Sequence, residues 1–149
     1  MNRLIDQRDS EEGSALVEFA VITLVLLTLL FGIIDVGRAL YAYDYVSYAA
    51  RQAARFAIVR GSTCSGLSGG CPAGPSDIQT YVQTNAIGID TSTLTVASHC
   101  MPPGSSPTSP PCSPGIPVEV TIQYGFEFVS PLSPQSWQMS TSSQVVTSQ

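Results

Sequence analysis

The chain has 149 residues and a formal net charge of −5, and its six basic residues are all arginines. An acidic chain with so few cations lacks the basic surface by which proteins bind nucleic acid, so we expect no nucleic-acid partner. The first 60 residues differ sharply in composition from the rest, which leaves about 90 residues for a globular part.

An apolar run extends over residues 14–34, from Ser14 to Ile34. A helix of this length spans about 30 Å, the thickness of the hydrocarbon core of a bilayer. The run is longer than the apolar stretch of a cleavable secretory signal, and the preceding string MNRLIDQRDSEEG is net acidic. The sequence therefore predicts a single membrane-spanning helix here, with lipid around it.

Glu18 is the only charged residue between Glu12 and Asp35. A carboxylate costs about 2.5 to 3.5 kcal/mol at the middle of a bilayer and less near the interface, so something should compensate it. Taken alone, Glu18 has two interpretations. It either reaches the headgroups from an uncleaved anchor or is neutralised by a partner.

The helix is predicted to continue beyond the membrane over residues 35–60, because this stretch has no proline and only one glycine. Gly61 is predicted to end it. Apolar or small residues recur at helical spacing, at Val36, Leu40, Tyr43, Ala50, Ala54 and Ala57. This amphipathic extension needs a partner, either its own domain or a neighbouring subunit.

Asp35 and Arg38 are spaced to pair on the helix where it leaves the membrane. As an exposed ion pair they would contribute only about 0.2 to 1 kcal/mol. A second face of the extension carries Tyr41, Tyr45 and Tyr48. The sequence thus predicts a membrane boundary at Asp35 and Arg38.

Residues 61–149 hold all four cysteines, Cys64, Cys71, Cys100 and Cys112. Four cysteines allow three disulfide connectivities, of which the pairing of neighbours is the simplest. The alternative is a zinc site, but separations of 7, 29 and 12 positions contain no C-x-x-C knuckle. Disulfides are favoured and no metal is predicted. Oxidised cysteines would place this head in the periplasm or outside the cell and the amino terminus in the cytoplasm.

The head is predicted to combine one small helix with an antiparallel sheet, an α+β fold. The helix begins at Pro75 and runs to about Ile87. Alternating apolar residues predict strands over 94–98, over 116–129 as one strand or two around Gly125, and over 139–146. The proline-rich string HCMPPGSSPTSPPCSPG is expected to form an exposed loop closed by a disulfide.

No arrangement of residues in the head favours catalysis. His99 is the only histidine and adjoins Cys100, but neighbours in a strand point to opposite faces. Glu119 and Glu127 would lie about 26 Å apart on a straight strand, too far for paired acid and base chemistry. We therefore expect neither an enzyme nor a cofactor.

A glycine followed by a small residue, then a glutamate at the fifth position and an apolar run, resembles type IV pilins and pseudopilins. The stretch SALVEFAVITLVLLTLLFGIIDVGRALYAYDYVSYAARQAARFAIVRG resembles more closely the TadE-like minor pilins of bacterial tight-adherence (Tad) systems. It contains their ALVEFA start, their G-x-x-x-x-G-R-A-L-Y middle and their A-A-R-x-A-A-R end. The resemblance covers Gly13 to Gly61, and it implies a pilin-like arrangement of a long helix followed by a sheet.

The resemblance implies that a prepilin peptidase cleaves between Gly13 and Ser14 and removes residues 1–13 as a cytoplasmic leader. Cleavage would create an ammonium group at Ser14, which Glu18 can neutralise on its own chain or on a neighbour. Glu18 would then set the register of subunits in a filament.

The resulting prediction is a minor pilin or pseudopilin, a component or assembly factor of a Tad-type pilus. Its expected partners are the prepilin peptidase, other pilin subunits and the Tad assembly machinery. It would cross the inner membrane once, and it would belong either to the pilus itself or only to the machine that assembles it. The alternative is an uncleaved membrane anchor whose loop between Cys100 and Cys112 binds a partner.

Overall fold

The computed structural model describes residues 2–129 and 136–146, with side chains from Gly13 onward. It confirms an α+β fold, in which a long amino-terminal helix precedes a small helix and a three-stranded antiparallel sheet. The elements are α1 (Asn2–Val59), α2 (Pro75–Thr84), a 3-10 turn (Thr91–Thr93), β1 (Leu94–Cys100), β2 (Pro117–Glu127) and β3 (Ser136–Val146).

Contacts divide the chain into two units. The first contains α1 up to Arg38 together with Phe128 and Val129. The second contains the rest of α1 from Ala39, α2 and the three strands. The buried core described below belongs to the second unit. From here on, 'the head' means this unit, which adds α1 from Ala39 to the head predicted from the sequence.

Strand β2 is the centre of the sheet, with β1 and β3 antiparallel on either side. Leu94 lies opposite Tyr124, and Trp137 lies opposite Phe126. The strand is continuous through Gly125, which decides between the one-strand and two-strand alternatives. Its alternation buries one face completely or nearly so, at Val118, Val120, Ile122, Tyr124 and Phe126.

The buried face of α1 in the head consists almost entirely of alanine, at Ala42, Ala49, Ala50, Ala53, Ala54 and Ala57, with Val46 among them. The predicted stripe was wrong in its first half, because Leu40 and Tyr43 are 65% and 59% exposed. Small side chains let neighbouring backbone approach the helix closely, so they occupy the covered face. The bulkier apolar residues are left on the open side.

Helix α2 ends at Thr84, earlier than predicted, and Ile87 is 77% exposed. The Asn85 side-chain amide donates to the Tyr81 carbonyl (2.7 Å), which competes with continued helix formation. At the other end, the Asp77 carboxylate accepts the Gly74 backbone N–H at 2.9 Å and caps the helix. Ile78 and Val82 enter the core between these ends.

Strand β1 extends two residues beyond its predicted end and includes His99 and Cys100. The reason is a pair of backbone hydrogen bonds between Cys100 and Thr108, which add to the pairing of Cys100 with Val118. His99 is therefore a strand residue and not a loop residue. It is exposed opposite Glu119, whereas Cys100 is buried.

Candidate functional site

The amino-terminal part of α1 is apolar on all sides and exposed. Within the described residues, one helix, Gly13–Val59, is long and apolar enough to cross a membrane. Its most apolar stretch has no residue buried inside the protein. Leu16 and Phe19 are 70% and 69% exposed. The Thr28 hydroxyl donates to the Leu24 carbonyl at 2.8 Å, so this polar group is satisfied within the helix. This segment has the length and composition of a membrane anchor.

Gly13, Ser14 and Glu18 all lie on α1 and are exposed. Four residues along a helix place Ser14 and Glu18 on the same face, about 6 Å apart along the axis. The Glu18 carboxylate makes no hydrogen bond or ion pair with a described side chain. The helix presents Glu18 outward, where a group on another molecule can reach it.

The boundary pair differs from its predicted form. Arg38 Nη1 lies 3.3 Å from Asp35 Oδ1, but the Asp35 side chain is only 7% exposed, against 46% for Arg38. The same carboxylate oxygen accepts the Val129 backbone N–H at 3.1 Å. The expectation of an exposed ion pair was wrong on the Asp35 side, because this acid is buried and holds a chain segment 94 residues away.

Two of the tyrosines on the second face of the extension bond the backbone of α2 and of the turn after it. Tyr41 donates to the Ile87 carbonyl at 2.7 Å, and Tyr45 donates to the Val82 carbonyl at 3.1 Å. Burial raises the pKa of Tyr45 above its usual value, and the nearby Tyr41 raises it further. Both hydroxyls fasten α2 and the turn after it to α1.

The structure forms two disulfides between neighbouring cysteines. Cys64 bonds Cys71 with a Cα–Cα distance of 5.6 Å, and Cys100 bonds Cys112 with a distance of 5.5 Å. Cys100 and Cys112 are 2% and 3% exposed. The first bridge closes the loop after α1, and the second closes the proline-rich loop between β1 and β2.

The end of α1 is bonded to both of these loop regions. The Ala73 N–H donates to the Arg60 carbonyl at 2.9 Å, and the Ser62 N–H donates to the Cys112 carbonyl at 3.0 Å. A Cβ on Gly61 would lie 3.1 Å from the same Cys112 oxygen, so glycine permits this close approach. Gly61 thus lies just after the helix end at Val59, and its lack of a side chain lets the Cys112 carbonyl of the second disulfide loop pack against it.

The residues that could be catalytic or metal-binding do not converge. His99 is exposed in β1. Among residues 13–129 and 136–146, no group of three histidine, cysteine, aspartate or glutamate residues is placed to hold a metal. The features that do converge are structural ones, at Asp35, at the two tyrosines and at the disulfides.

The model of the family described as TadE-like protein matches residues 13–55. No curated protein and no solved structure matches the chain. The matched residues contain the exposed apolar helix, Glu18 and the Asp35–Arg38 pair. The match supports the resemblance drawn from the sequence: over residues 13–55 the chain is similar to TadE-like proteins.

Proposed function

We propose that this chain is a TadE-like minor pilin or pseudopilin of a Tad-type pilus, with a structural and not an enzymatic role. The observation that carries the proposal is the family match, which begins at Gly13 and contains an exposed apolar helix with one acid near its start. Membership of this family supports association with other pilus components. The finer role rests on the chemistry of Glu18.

In this proposal a prepilin peptidase cuts the chain between Gly13 and Ser14. The new ammonium group of Ser14 lies within about 6 Å of Glu18 along the helix axis, on the same face. Each charge is expensive in lipid when alone, and pairing offsets that cost. A Glu18 carboxylate that pairs with the Ser14 of a neighbouring chain would also fix the axial stagger between the two helices.

The proposed location is the inner membrane, crossed once, with the amino terminus in the cytoplasm. The two disulfides of the head support an oxidising compartment on the other side. From there the helix would be drawn into a pilus by the Tad machinery. Packing between helices would hold the subunit in the polymer.

The cleavage claim is tested by mass spectrometry of the protein extracted from membranes of cells with and without the prepilin peptidase. A mature chain that begins at Ser14 only when the peptidase is present is the expected result. A Gly13→Asp variant should accumulate uncut. A mature terminus at any other residue would refute this processing step.

The register claim is tested with Glu18→Gln, which removes the charge and keeps the shape. We expect cleavage to continue but incorporation into sheared pili to fall at least about tenfold, since an unpaired ammonium in lipid costs more than about 1.4 kcal/mol. Asp44→Asn, an exposed change on the same helix outside the apolar run, is the control. Normal incorporation of the Glu18 variant would contradict the proposal.

A second candidate is an uncleaved anchor that presents a binding loop. It is favoured by the exposure of residues 103–109, which lie within the loop closed by Cys100 and Cys112. The two functions predict different masses for the membrane protein, because only the first one removes residues 1–13. An intact leader together with absence from pili would support this second candidate.

A further inference from the structure

The head has an open cleft of about 620 Å³ between the last turns of α1 and the side of α2. Its walls include two arginines, Arg55 and Arg60, and an aromatic pair, Phe56 and Tyr81. The volume falls within the range of about 300 to 1,000 Å³ that is usual for ligand sites. Neither the membrane anchor nor the assembly role proposed above uses this cleft.

Arg60 is held in place by ring stacking and retains an unused donor. The rings of Phe56 and Tyr81 stack with centroids 4.3 Å apart, and the Arg60 guanidinium carbon lies 4.1 Å from the Phe56 centroid. The Arg60 Nε–H is buried and has no hydrogen-bond partner among the described residues. Buried donors are nearly always bonded, so this unpaired donor marks the Arg60 guanidinium as a group that lacks an acceptor.

The charged side chains in the cleft favour a ligand that carries a single negative charge. Arg55 and Arg60 each carry one positive charge, and neither forms an ion pair in the described part of the chain. Asp77, the acid in the wall, already accepts the Gly74 N–H. The sum is one net positive charge, in a chain whose net charge is −5.

A carboxylate meets these requirements better than a phosphate. Guanidinium groups bind carboxylates through two parallel hydrogen bonds, and one carboxylate balances the one excess charge. A doubly charged phosphate would leave one negative charge unbalanced, and the Asp77 carboxylate would repel it. The amides of Gln52 and Asn85 add donors and acceptors to the walls, which suit a peptide backbone.

We propose that this cleft binds the carboxylate side chain of an acidic residue in an extended peptide segment of a partner protein. Arg60 is the fixed ligand beneath the carboxylate, and Arg55 closes over it from the exposed side. The aromatic pair covers the methylene groups of the acidic side chain. This site does not depend on cleavage at Gly13 or on polymerisation.

The test uses the full chain in a neutral detergent and a capped pentapeptide with one central glutamate between glycines. Titration calorimetry compares it with the same peptide carrying glutamine and with oligogalacturonate, a carboxylated sugar. We expect the glutamate peptide to bind at least about tenfold more tightly than the glutamine peptide. Equal binding of the two peptides, or tighter binding of the sugar, would overturn the proposal.

Arg55→Gln and Arg51→Gln form a matched pair. Both residues are exposed on α1, but only Arg55 lines the cleft. The Arg55 variant should lose most of the preference for glutamate, whereas the Arg51 variant should keep it. Arg60→Gln also removes a stacking contact, so the thermal unfolding of this variant is measured together with its affinity for the peptide. The comparison of the Arg55 and Arg51 variants is the test of the proposal. Equal losses in those two variants would mean that only general charge attraction is involved.

Discussion

Asp35 accepts a hydrogen bond from the Val129 backbone, 94 residues later in the chain. The same Oδ1 atom lies 3.3 Å from Nη1 of Arg38. One buried oxygen therefore contacts both a side chain on the same helix and the backbone of Val129, two residues after β2 ends. A buried carboxylate is stabilised only when such partners are present. The segment that follows β2 is therefore positioned by an acid of α1.

Replacement of Asp35 by alanine should release this segment. Loss of a hydrogen bond to a charged group, with a donor left behind, should lower the free energy of unfolding by about 1.5 to 3 kcal/mol. Amide hydrogen exchange should be faster at Val129. Asp44→Ala, an exposed change on the same helix, should leave both quantities nearly unchanged. Unchanged protection of the Val129 amide in the Asp35 variant would contradict the assigned bond.

Ile78 and Ile87 provide a comparison of the same side chain in opposite surroundings. Ile78 is fully buried in α2, whereas Ile87 is 77% exposed. Ile78→Ala should lower the free energy of unfolding by about 2 to 5 kcal/mol, since it leaves a cavity. Ile87→Ala should change it by less than about 0.5 kcal/mol. Urea unfolding of both variants measures the difference. Similar losses of unfolding free energy would contradict the burial of Ile78 and the exposure of Ile87.

The stability of the head should decline at alkaline pH because of Tyr45. Its pKa is raised in the folded protein, so between the unfolded value of about 10 and the folded value the native state binds more protons than the unfolded state. The stabilisation is complete below about pH 10 and is lost as the pH rises through the folded pKa. Tyr45→Phe should make the free energy of unfolding less dependent on pH in this window. Tyr48→Phe, with a ring that is 56% exposed, should not.

The two disulfides should differ in what their removal costs. Loop closure alone assigns each about 2 to 3 kcal/mol, from sequence separations of 7 and 12. Cys100 and Cys112 are also buried, so changing both to alanine should cost more than the same change at Cys64 and Cys71. Thermal unfolding of the two double variants without reductant measures this. An equal or reversed order would contradict the role given to the buried bridge.

The sequence predicted the elements better than their contacts. Apolar length located the helix around residues 14–34, and alternation located β2, because both signals are local. The buried face of α1 was harder to predict, since hydrophobicity favours Leu40 and Tyr43 whereas the fold buries small alanines. Size complementarity depends on the partner surface, which a single sequence does not display.

The site shows the same division between local and distant signals. The spacing of Asp35 and Arg38 predicted their pairing, but nothing in the local pattern indicates that Val129 is a partner of Asp35. The hydroxyl bonds of Tyr41 and Tyr45 likewise depend on where the backbone of α2 passes. The processing and register roles of Gly13, Ser14 and Glu18 stay predictions, because they concern other molecules.

The hydrogen bonds at the end of α1 also determine how the head responds to tension. Arg60 and Ser62 are bonded to Ala73 and to the Cys112 carbonyl, beside segments that covalent bridges keep closed. Tension that reaches the end of α1 is therefore passed to two loops whose span the bridges limit. Such a linkage resists force for as long as the bridges stay oxidised.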